Sequence, residues 1–189
     1  MTVSRLSTCA ALFVVLSATS ARAQGFITPF LGFTYGGDVA ASCARLTDCE
    51  EKRLNWGVGF GATHGILGFE DEIAYAKDFF GGTPGGSNAV LTVMSNVMFV
   101  LPAGPIRPYA LVGIGLVHPH IEFDASNLEF DKNTLGFDVG GGINIFLTHG
   151  FGIRGDIRHL QTFDDLSLGL FSNDKLDFWR GSAGVTFRF

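Results

Sequence analysis

Apolar residues alternate with glycine or polar residues along most of the chain after residue 24. Between residues 54 and 63, for example, Trp56, Val58 and Phe60 alternate with asparagine and glycine. Side chains of a β-strand point alternately to its two faces, so this period of two is typical of strands. It predicts eight strands, at residues 25–35, 54–63, 66–76, 89–101, 108–117, 135–147, 151–159 and 176–189.

The lengths of these strands and of their connections indicate how the strands are arranged. Most of the strands have about 9–13 residues. That exceeds the roughly five or six usual in soluble sheets and is close to what a tilted membrane-crossing strand needs. Short connections, near residue 64 and at 102–107 and 148–150, alternate with long ones, at 36–53, 77–88, 118–134 and 160–175. Short turns at one end and long loops at the other are typical of an outer-membrane barrel.

Alternation by itself leaves open which face of the strands lies inside. A soluble barrel would bury the apolar face and expose the charged residues to water. Eight strands, however, enclose an interior that side chains only just fill, and rows of Phe, Trp, Leu and Ile would overfill it. Glycine on the inner face would leave room for long Arg and Glu side chains. We therefore predict an all-β fold, an eight-stranded antiparallel transmembrane up-and-down β-barrel with its apolar face in lipid.

The same parity places eight charged residues inside the predicted barrel. They are four acids and four bases: Glu70, Glu72, Asp138, Asp156, Arg154, Arg158, Arg180 and Arg188. A buried charge is costly unless it is paired and hydrogen bonded, and the balanced numbers favour mutual pairing. We expect these side chains to plug the interior. The alternative is that they line a path for ions or protons.

One acidic residue does not fit the pattern. When Glu70 and Glu72 face inward, Asp71 must face lipid between Phe69 and Ile73. A carboxylate in hydrocarbon is unfavourable, although less so than an arginine or a lysine. The sequence therefore predicts a β-bulge or a local register shift that turns Asp71 away from lipid.

The first 23 residues have the features of a secretory signal peptide. Arg5 precedes an apolar run at 9–18, and Ala21 and Ala23 form a small-x-small cleavage site. The apolar run is too short to span a bilayer. Cleavage before Gln24 would leave residues 24–189 as an exported barrel domain.

Two cysteines remain after that cleavage, Cys43 and Cys49, both in the first long loop. Disulfides form and persist in the oxidising space outside the inner membrane. We expect these two thiols to form a disulfide that stiffens the loop, with no catalytic role. Two free thiols or a pair of metal ligands are the alternatives.

Composition and charge exclude several classes of protein. The chain of 189 residues has 26 glycines and 19 phenylalanines, with 47% hydrophobic and 16% charged residues, which excludes a disordered chain. Its net charge is −5, whereas nucleic-acid binders present a positively charged surface. Most of the excess acid lies in the four long loops. These loops are either simply solvated, or they bind a basic surface partner or divalent cations that bridge to anionic lipopolysaccharide.

The sequence offers few candidates for chemistry. Some outer-membrane barrels modify lipids with a His–Ser pair and a carboxylate, but His159 is followed two residues later by Gln161. His118 and His120 could bind a metal through neutral imidazoles, yet no third ligand has a defined place beside them. We predict no catalytic residues, no cofactor and no metal site.

Several short segments resemble a known family when they are taken in order. They are Ile27-Thr28-Pro29-Phe30 with Gly36-Gly37-Asp38, Leu67-Gly68-Phe69-Glu70, Arg107-Pro108-Tyr109 with Gly113-Ile114-Gly115, Gly140-Gly141-Gly142-Ile143-Asn144, and Gly155-Asp156-Ile157-Arg158. Their order and spacing resemble the small outer membrane protein β-barrel family, the OmpA-like and opacity-type eight-stranded barrels. The resemblance implies the fold and a bacterial outer-membrane location reached through the periplasm. It implies little about activity, because the family includes anchors and adhesins.

The last strand ends in an aromatic residue. Phe189, Phe187 and Val185 share one face of that strand, and this ending resembles the signal by which outer-membrane barrels are handed to the barrel assembly machinery. A contribution to the aromatic girdle at the membrane interface is the alternative.

These observations favour a non-enzymatic integral outer-membrane barrel with a structural or surface-interaction role. A narrow pore for small solutes or ions and a lipid-modifying enzyme are the two alternatives. The expected surroundings are outer-membrane lipid and lipopolysaccharide.

Overall fold

The computed structural model of the chain describes residues 23–36, 53–77, 79, 86–123, 128–131, 133–166 and 174–189. Nine strands lie in these ranges: β1 (Gln24–Tyr35), β2 (Arg53–His64), β3 (Leu67–Lys77), β4 (Gly86–Val100), β5 (Ile106–Phe123), β6 (Leu128–Asp131), β7 (Thr134–Phe146), β8 (Phe151–Leu166) and β9 (Asp174–Arg188). Within the same ranges, no helix is long and apolar enough to cross a membrane.

The strands form one closed antiparallel sheet. The strands pair in the order β4-β3-β2-β1-β9-β8-β7-β5-β6, and β4 also pairs with β5, which closes the ring. The short β6 pairs with the end of β5, directly beyond the part of β5 that pairs with β7. Strands β6 and β7 therefore together occupy the place of one strand in the barrel wall. The wall thus has eight strand positions. The predicted eight-stranded antiparallel barrel is confirmed.

Glycine adopts the left-handed backbone conformation in two of the turns at the short-turn end of the barrel. Gly65 connects β2 to β3 with a φ of 61°, and Gly104 lies between β4 and β5 with a φ of 70°. Nothing lies within 4 Å of where a Cβ would stand at either position. The requirement is therefore the left-handed backbone conformation, which glycine adopts without steric cost.

Several strands extend beyond their predicted ends toward the long loops. β4 begins at Gly86, β5 runs to Phe123, β8 runs to Leu166 and β9 begins at Asp174. These extensions take up parts of the connections predicted at 77–88, 118–134 and 160–175. Backbone pairing continues above the lipid, where neither face of a strand must be apolar, so alternation marks the membrane-spanning part and not the whole strand.

The outer surface of the barrel is apolar. Large hydrophobic side chains on all eight wall positions are exposed, as the predicted orientation requires; examples are Leu31, Ile114 and Ile157. Aromatic pairs stand near both ends of this surface. Trp56 and Tyr75 lie toward the long loops with ring centroids 5.9 Å apart, and Phe151 and Phe187 lie toward the short turns at 5.8 Å. Aromatic girdles of this kind flank the apolar band of outer-membrane barrels.

The barrel interior has three layers. A buried apolar cluster lies toward the long loops: Ala76, Phe79, Val90, Met94, Val117, Leu160, Leu176 and Phe178. A second cluster lies toward the short turns: Phe26, Met98, Val100, Tyr109 and Leu111. Buried charged residues lie between the two. The sequence pattern had suggested a glycine-rich and polar inner face, and the apolar layers are a finding of the structure.

Candidate functional site

Arg158 is the centre of the charged layer. Its guanidinium lies within salt-bridge distance of four carboxylates: 2.7 Å from Glu70, 3.0 Å from Glu72, 3.1 Å from Asp156 and 3.4 Å from Asp138. Its side chain is 1% exposed. These carboxylates come from β3, β7 and β8, so one residue of β8 joins three walls of the barrel.

Two further arginines complete the pairing of the acids. Arg154 forms an ion pair with Glu70 and lies 3.1 Å from Asp156, and Arg180 forms an ion pair with Glu72. The guanidinium of Arg154 also stands 4.6 Å from the ring centroid of Tyr109. Every arginine of the layer therefore contacts at least one carboxylate.

Neutral hydrogen-bond donors add to the bonds that the arginines make to the carboxylates. The Tyr109 hydroxyl donates to Asp156 Oδ2 at 2.8 Å, and the Ser182 hydroxyl donates to Asp156 Oδ1 at 2.7 Å. The Asn96 side chain, with its amide nitrogen toward Asp138, donates to Asp138 Oδ1 at 2.6 Å. Such multiple bonding is what allows buried charges to be held without a large penalty.

Arg188 does not join this layer, although the sequence pattern had grouped it with the other seven residues. Its Nη2 and Nε donate to the carbonyl oxygen of His149 at 2.8 and 3.0 Å, and its guanidinium lies 4.2 Å from the ring centroid of Phe146. Parity determines the face of a strand but not the depth along it, and Arg188 is the last residue of β9. The described layer thus has four acids and three arginines.

Glycines on the inner face make room for the layer. A Cβ added to Gly142 would lie 2.6 Å from both the Tyr109 hydroxyl and Asp156 Cβ, and one added to Gly113 would lie 2.7 Å from Asp138 Oδ1. Real Cβ atoms do not approach other atoms so closely. At these two positions, groups of the charged layer occupy the space that a Cβ would need, so inward glycines accommodate the charged side chains as predicted.

Little empty volume is left around the charged layer. A cavity of about 10 Å³ adjoins Glu70 and Arg158, and one of about 20 Å³ lies toward the short turns beside Met98. Another of about 10 Å³ lies toward the long loops beside Phe178. These volumes are the space open to the centre of a water molecule, and a cavity needs roughly 10–15 Å³ of such space to hold one water. Each of the three therefore has room for about one water molecule.

Asp71 stays in a regular strand, so the predicted bulge or register shift is wrong. It pairs with Phe60 of β2 and Ser95 of β4 without a break in either ladder. The Ser95 hydroxyl donates to Asp71 Oδ1 at 2.6 Å. The neighbouring strand supplies a hydrogen-bond donor on the outer face, which removes the need for the backbone to turn the carboxylate away.

The histidines that were considered for chemistry lie apart from the charged layer. His159 Nε2 is 2.7 Å from Asp177 Oδ1 on the outer face, with its ring beside Trp179. His118 Nδ1 is 2.9 Å from Asn133 Oδ1. The side chain of His120 lies outside the described residues.

Other predictions also lie outside the described part of the chain or are not tested by it. Cys43, Cys49 and residues 1–22 fall outside the described ranges, so the disulfide and the signal peptide stay predictions. At the end of β9, Phe189 is 83% exposed, and its backbone nitrogen donates to the carbonyl oxygen of Gly25 at 3.0 Å. Phe187 is also exposed, and Val185 is half-buried on the same strand. Their role in assembly stays a prediction.

Comparison with known proteins gives a family and a set of similar folds. A family model described as outer membrane protein beta-barrel domain matches residues 8–189. No curated protein matches the chain by sequence.

Solved barrels of low sequence identity share the fold. Neisserial surface protein A is 14% identical, with a TM-score of 0.65 over 87% of this chain and 97% of that one. The attachment invasion locus protein Ail of Yersinia pestis, solved with the heparin analogue sucrose octasulfate, is 11% identical, with a TM-score of 0.61 over 88% and 99%. OprG of Pseudomonas aeruginosa is 14% identical, with a TM-score of 0.57 over 88% and 96%.

Proposed function

The chain belongs to the outer membrane protein β-barrel family, and from this premise we propose that it is a non-enzymatic, non-conducting barrel. In this proposal it anchors its long loops at the surface of the bacterial outer membrane, where they take part in surface interactions. The observation that carries the proposal is the filled interior, in which a charged layer lies between two apolar layers.

The interior opposes the passage of ions in two ways. An ion that crosses the middle of the barrel must displace Arg158 from the carboxylates that surround it, and this would leave buried charges unpaired at a cost of several kcal/mol each. Before reaching that layer, the ion must also shed its water against the apolar residues above or below, and such constrictions act as barriers.

Conductance in a planar bilayer tests the proposal directly. We expect the purified, folded barrel to insert without producing current steps, because both apolar layers and the charged layer block its axis. A general porin that is added afterwards to the same bilayer should conduct, which shows that the membrane is competent. Regular steps whose number increases with the amount of this protein would instead support the narrow pore.

The outer face also supports a non-enzymatic role. His159 and Asp177 form a pair there, as a general base and its orienting carboxylate would. The residue that stands two positions after His159 is Gln161, whose amide is not a nucleophile. A histidine and a carboxylate with an amide beside them are better suited to hydrogen bonding at the membrane interface than to acyl transfer.

The charge of the long loops favours a particular class of surface partner. The four predicted loops carry most of the acidic excess of the exported chain, so they favour basic partners or divalent cations that bridge to lipopolysaccharide, and they repel polyanions. Ail was solved with a heparin analogue. The acidic loops of this chain, on the same fold, favour cationic partners instead of polyanions.

Retention on charged surfaces checks this preference. We expect the reconstituted barrel to pass over immobilised heparin at physiological salt and to be retained on immobilised polylysine. Salt at about 1 M should release it, because the screening length falls to roughly 3 Å. Neutral agarose is the control for non-specific retention. Binding to heparin under the same conditions would contradict the proposed surface role.

A further inference from the structure

Two arginines share one aromatic ring at the short-turn mouth of the barrel. The guanidinium of Arg107 lies 5.3 Å from the ring centroid of Phe146, and that of Arg188 lies 4.2 Å from it. Arg107 pairs with Asn144 across β5 and β7. These four residues and Thr186 line the cavity of about 20 Å³ at the short-turn end, which we call the mouth pocket.

The arginines of the mouth pocket have donors without an acceptor in the described residues. Arg188 is half-buried, and its Nε and Nη2 both donate to the His149 carbonyl oxygen, but its Nη1 is shielded from solvent and has no partner there. The side chain of Arg107 donates from Nε to the Gly104 carbonyl oxygen at 3.4 Å, which leaves its two terminal nitrogens over. A shielded N–H without an acceptor is unfavourable, so the pocket is suited to a ligand that accepts hydrogen bonds.

The amide of Asn144 adds another donor. Asn144 is 9% exposed, and its Oδ1 accepts from the Thr186 hydroxyl at 3.3 Å. That bond holds the oxygen toward Thr186 and leaves the amide nitrogen for a ligand. Guanidinium and amide nitrogens only donate, so the three side chains together favour a ligand with several acceptor atoms.

The short-turn end also lacks acidic residues that could pair with the two arginines. No Asp or Glu occurs in the segments that form it, which are residues 23–27, 61–67, 98–108, 144–152 and 184–189. Within the described ranges, neither Arg107 nor Arg188 forms an ion pair, whereas every arginine of the charged layer contacts a carboxylate. Two like charges beside one ring repel each other. Their counter-ion therefore has to come from outside the barrel.

We propose that the mouth pocket binds a phosphate group from the periplasmic side. The short turns of outer-membrane barrels face the periplasm. Guanidinium groups recognise phosphate through paired, charge-assisted hydrogen bonds, and a phosphate group carries up to two negative charges near neutral pH. The cavity has room for about one water-sized atom. One phosphate oxygen therefore enters it beside Arg188 Nη1 and the Asn144 amide, and the others lie at the open mouth within reach of Arg107.

A phosphate group is a better occupant than water or chloride. A water molecule would accept from Arg188 Nη1 but would leave both positive charges without a counter-ion. Chloride carries one charge and lacks the several oxygens that can bond two guanidinium groups and an amide at once. Two sources can supply the group: a soluble phosphate or phosphomonoester of the periplasm, and the head group of an inner-leaflet lipid that reaches over the rim of the barrel.

Phosphorus NMR of inorganic phosphate tests the proposal. The barrel is folded in octyl glucoside, which is uncharged and contains no phosphorus, and phosphate is added in chloride buffer at constant ionic strength. We expect the phosphate signal to broaden and the effect to saturate at one site per barrel. Sulfate should reverse the broadening, and acetate, with a single charge, should need at least about tenfold more. A signal that stays narrow at every barrel concentration would overturn the proposal.

Three substitutions separate the pocket from general charge attraction. R107M and R188M each remove one guanidinium, and we expect each to weaken phosphate binding at least about tenfold, as the loss of a charged hydrogen bond would. K77M is the matched control, because Lys77 is exposed at the long-loop end of β3 and its loss changes the net charge equally. It should bind phosphate like the natural chain, and urea titration checks that all three fold. Equal weakening by the three would refute the pocket.

A fourth substitution tests whether the pocket lacks a counter-ion. N144D keeps the shape of the side chain and can still accept from Thr186, but it places a carboxylate beside Arg107. We expect the barrel then to supply its own counter-ion, so that the broadening of the phosphate signal is lost. Phosphate binding as strong as that of the natural chain would contradict the counter-ion argument.

A short-chain lipid distinguishes the two sources of the phosphate group. Dihexanoyl phosphatidic acid carries the same phosphomonoester as glycerol phosphate and adds two short acyl chains. Equal affinity for the two compounds would indicate a soluble ligand. Binding of the lipid that is at least about tenfold tighter, and that R188M abolishes, would indicate a head group. Binding of both compounds that R107M and R188M leave unchanged would rule out the pocket as the site.

Discussion

Replacing Arg158 by methionine is expected to lower the free energy of unfolding by about 3–5 kcal/mol, the range seen when one partner of a buried ion pair is removed. Methionine has about the length of the aliphatic part of the arginine side chain but no charge. The substitution leaves the four carboxylates around Arg158 with only Arg154 and Arg180 to pair them. Urea titration of barrels folded in lipid vesicles, followed by tryptophan fluorescence, measures the change.

The matched control is Arg188→Met. Arg188 is on the same inward face, but it donates to a backbone carbonyl at the exposed short-turn end. Its loss should cost no more than about 1 kcal/mol. Arg158→Lys should fall between the two, because one ammonium keeps the charge but cannot reach all the carboxylates that the planar guanidinium contacts. Equal losses for the methionine variants of Arg158 and Arg188 would show that the charged layer contributes little to stability.

Deletion of Phe189 is expected to remove most of the protein from the outer membrane while leaving the folded barrel nearly as stable as before. The residue is 83% exposed, its backbone nitrogen bonds to the Gly25 carbonyl oxygen, and its ring lies over Gly25, so little packing is lost. A terminal strand with an apolar end is suited to recognition by strand addition. The measurement is quantitative immunoblotting of outer-membrane and periplasmic fractions, with urea titration of refolded barrels alongside.

Phe189→Tyr is the control for this deletion. Tyrosine keeps the terminal ring and the chain length, so its level in the outer membrane should be normal. If Phe189 serves only in the aromatic girdle, the deletion would reduce the stability of the refolded barrel and leave its delivery unchanged. Normal amounts of the truncated chain in the outer membrane would therefore contradict an assembly signal.

The sequence correctly predicted the features that follow from the two-residue period of a strand, such as the face on which each side chain lies. Parity alone placed Glu70, Arg158 and the other inward charges on one face, and the structure has them there. It could not show the depth of a residue, which is why Arg188 was grouped with residues that lie far above it. Depth depends on the register between strands, and register follows from contacts that are distant along the chain.

The same limit explains what was missed about Asp71. Ser95 lies on another strand from Asp71, and only the observed register between β3 and β4 brings them together. Met94 and Met98 share the inward parity of Asn96, so a strict count along β4 would have found them. The inward face of β4 also has the polar residues Thr92 and Asn96, which match the polar inner face that the pattern suggested.

The charged layer also constrains the order in which the barrel can assemble. Glu70 and Arg154 are 84 residues apart in the chain, and Glu72 and Arg180 are 108 residues apart. A partly built sheet that contained only β1 to β4 would therefore hold two glutamates in the membrane without their arginines. Such an intermediate is disfavoured in hydrocarbon, so we expect the first half of the sheet to insert together with the second. Because the pairs form only when β3 meets β8 and β9, they favour membrane insertion and ring closure in one cooperative step.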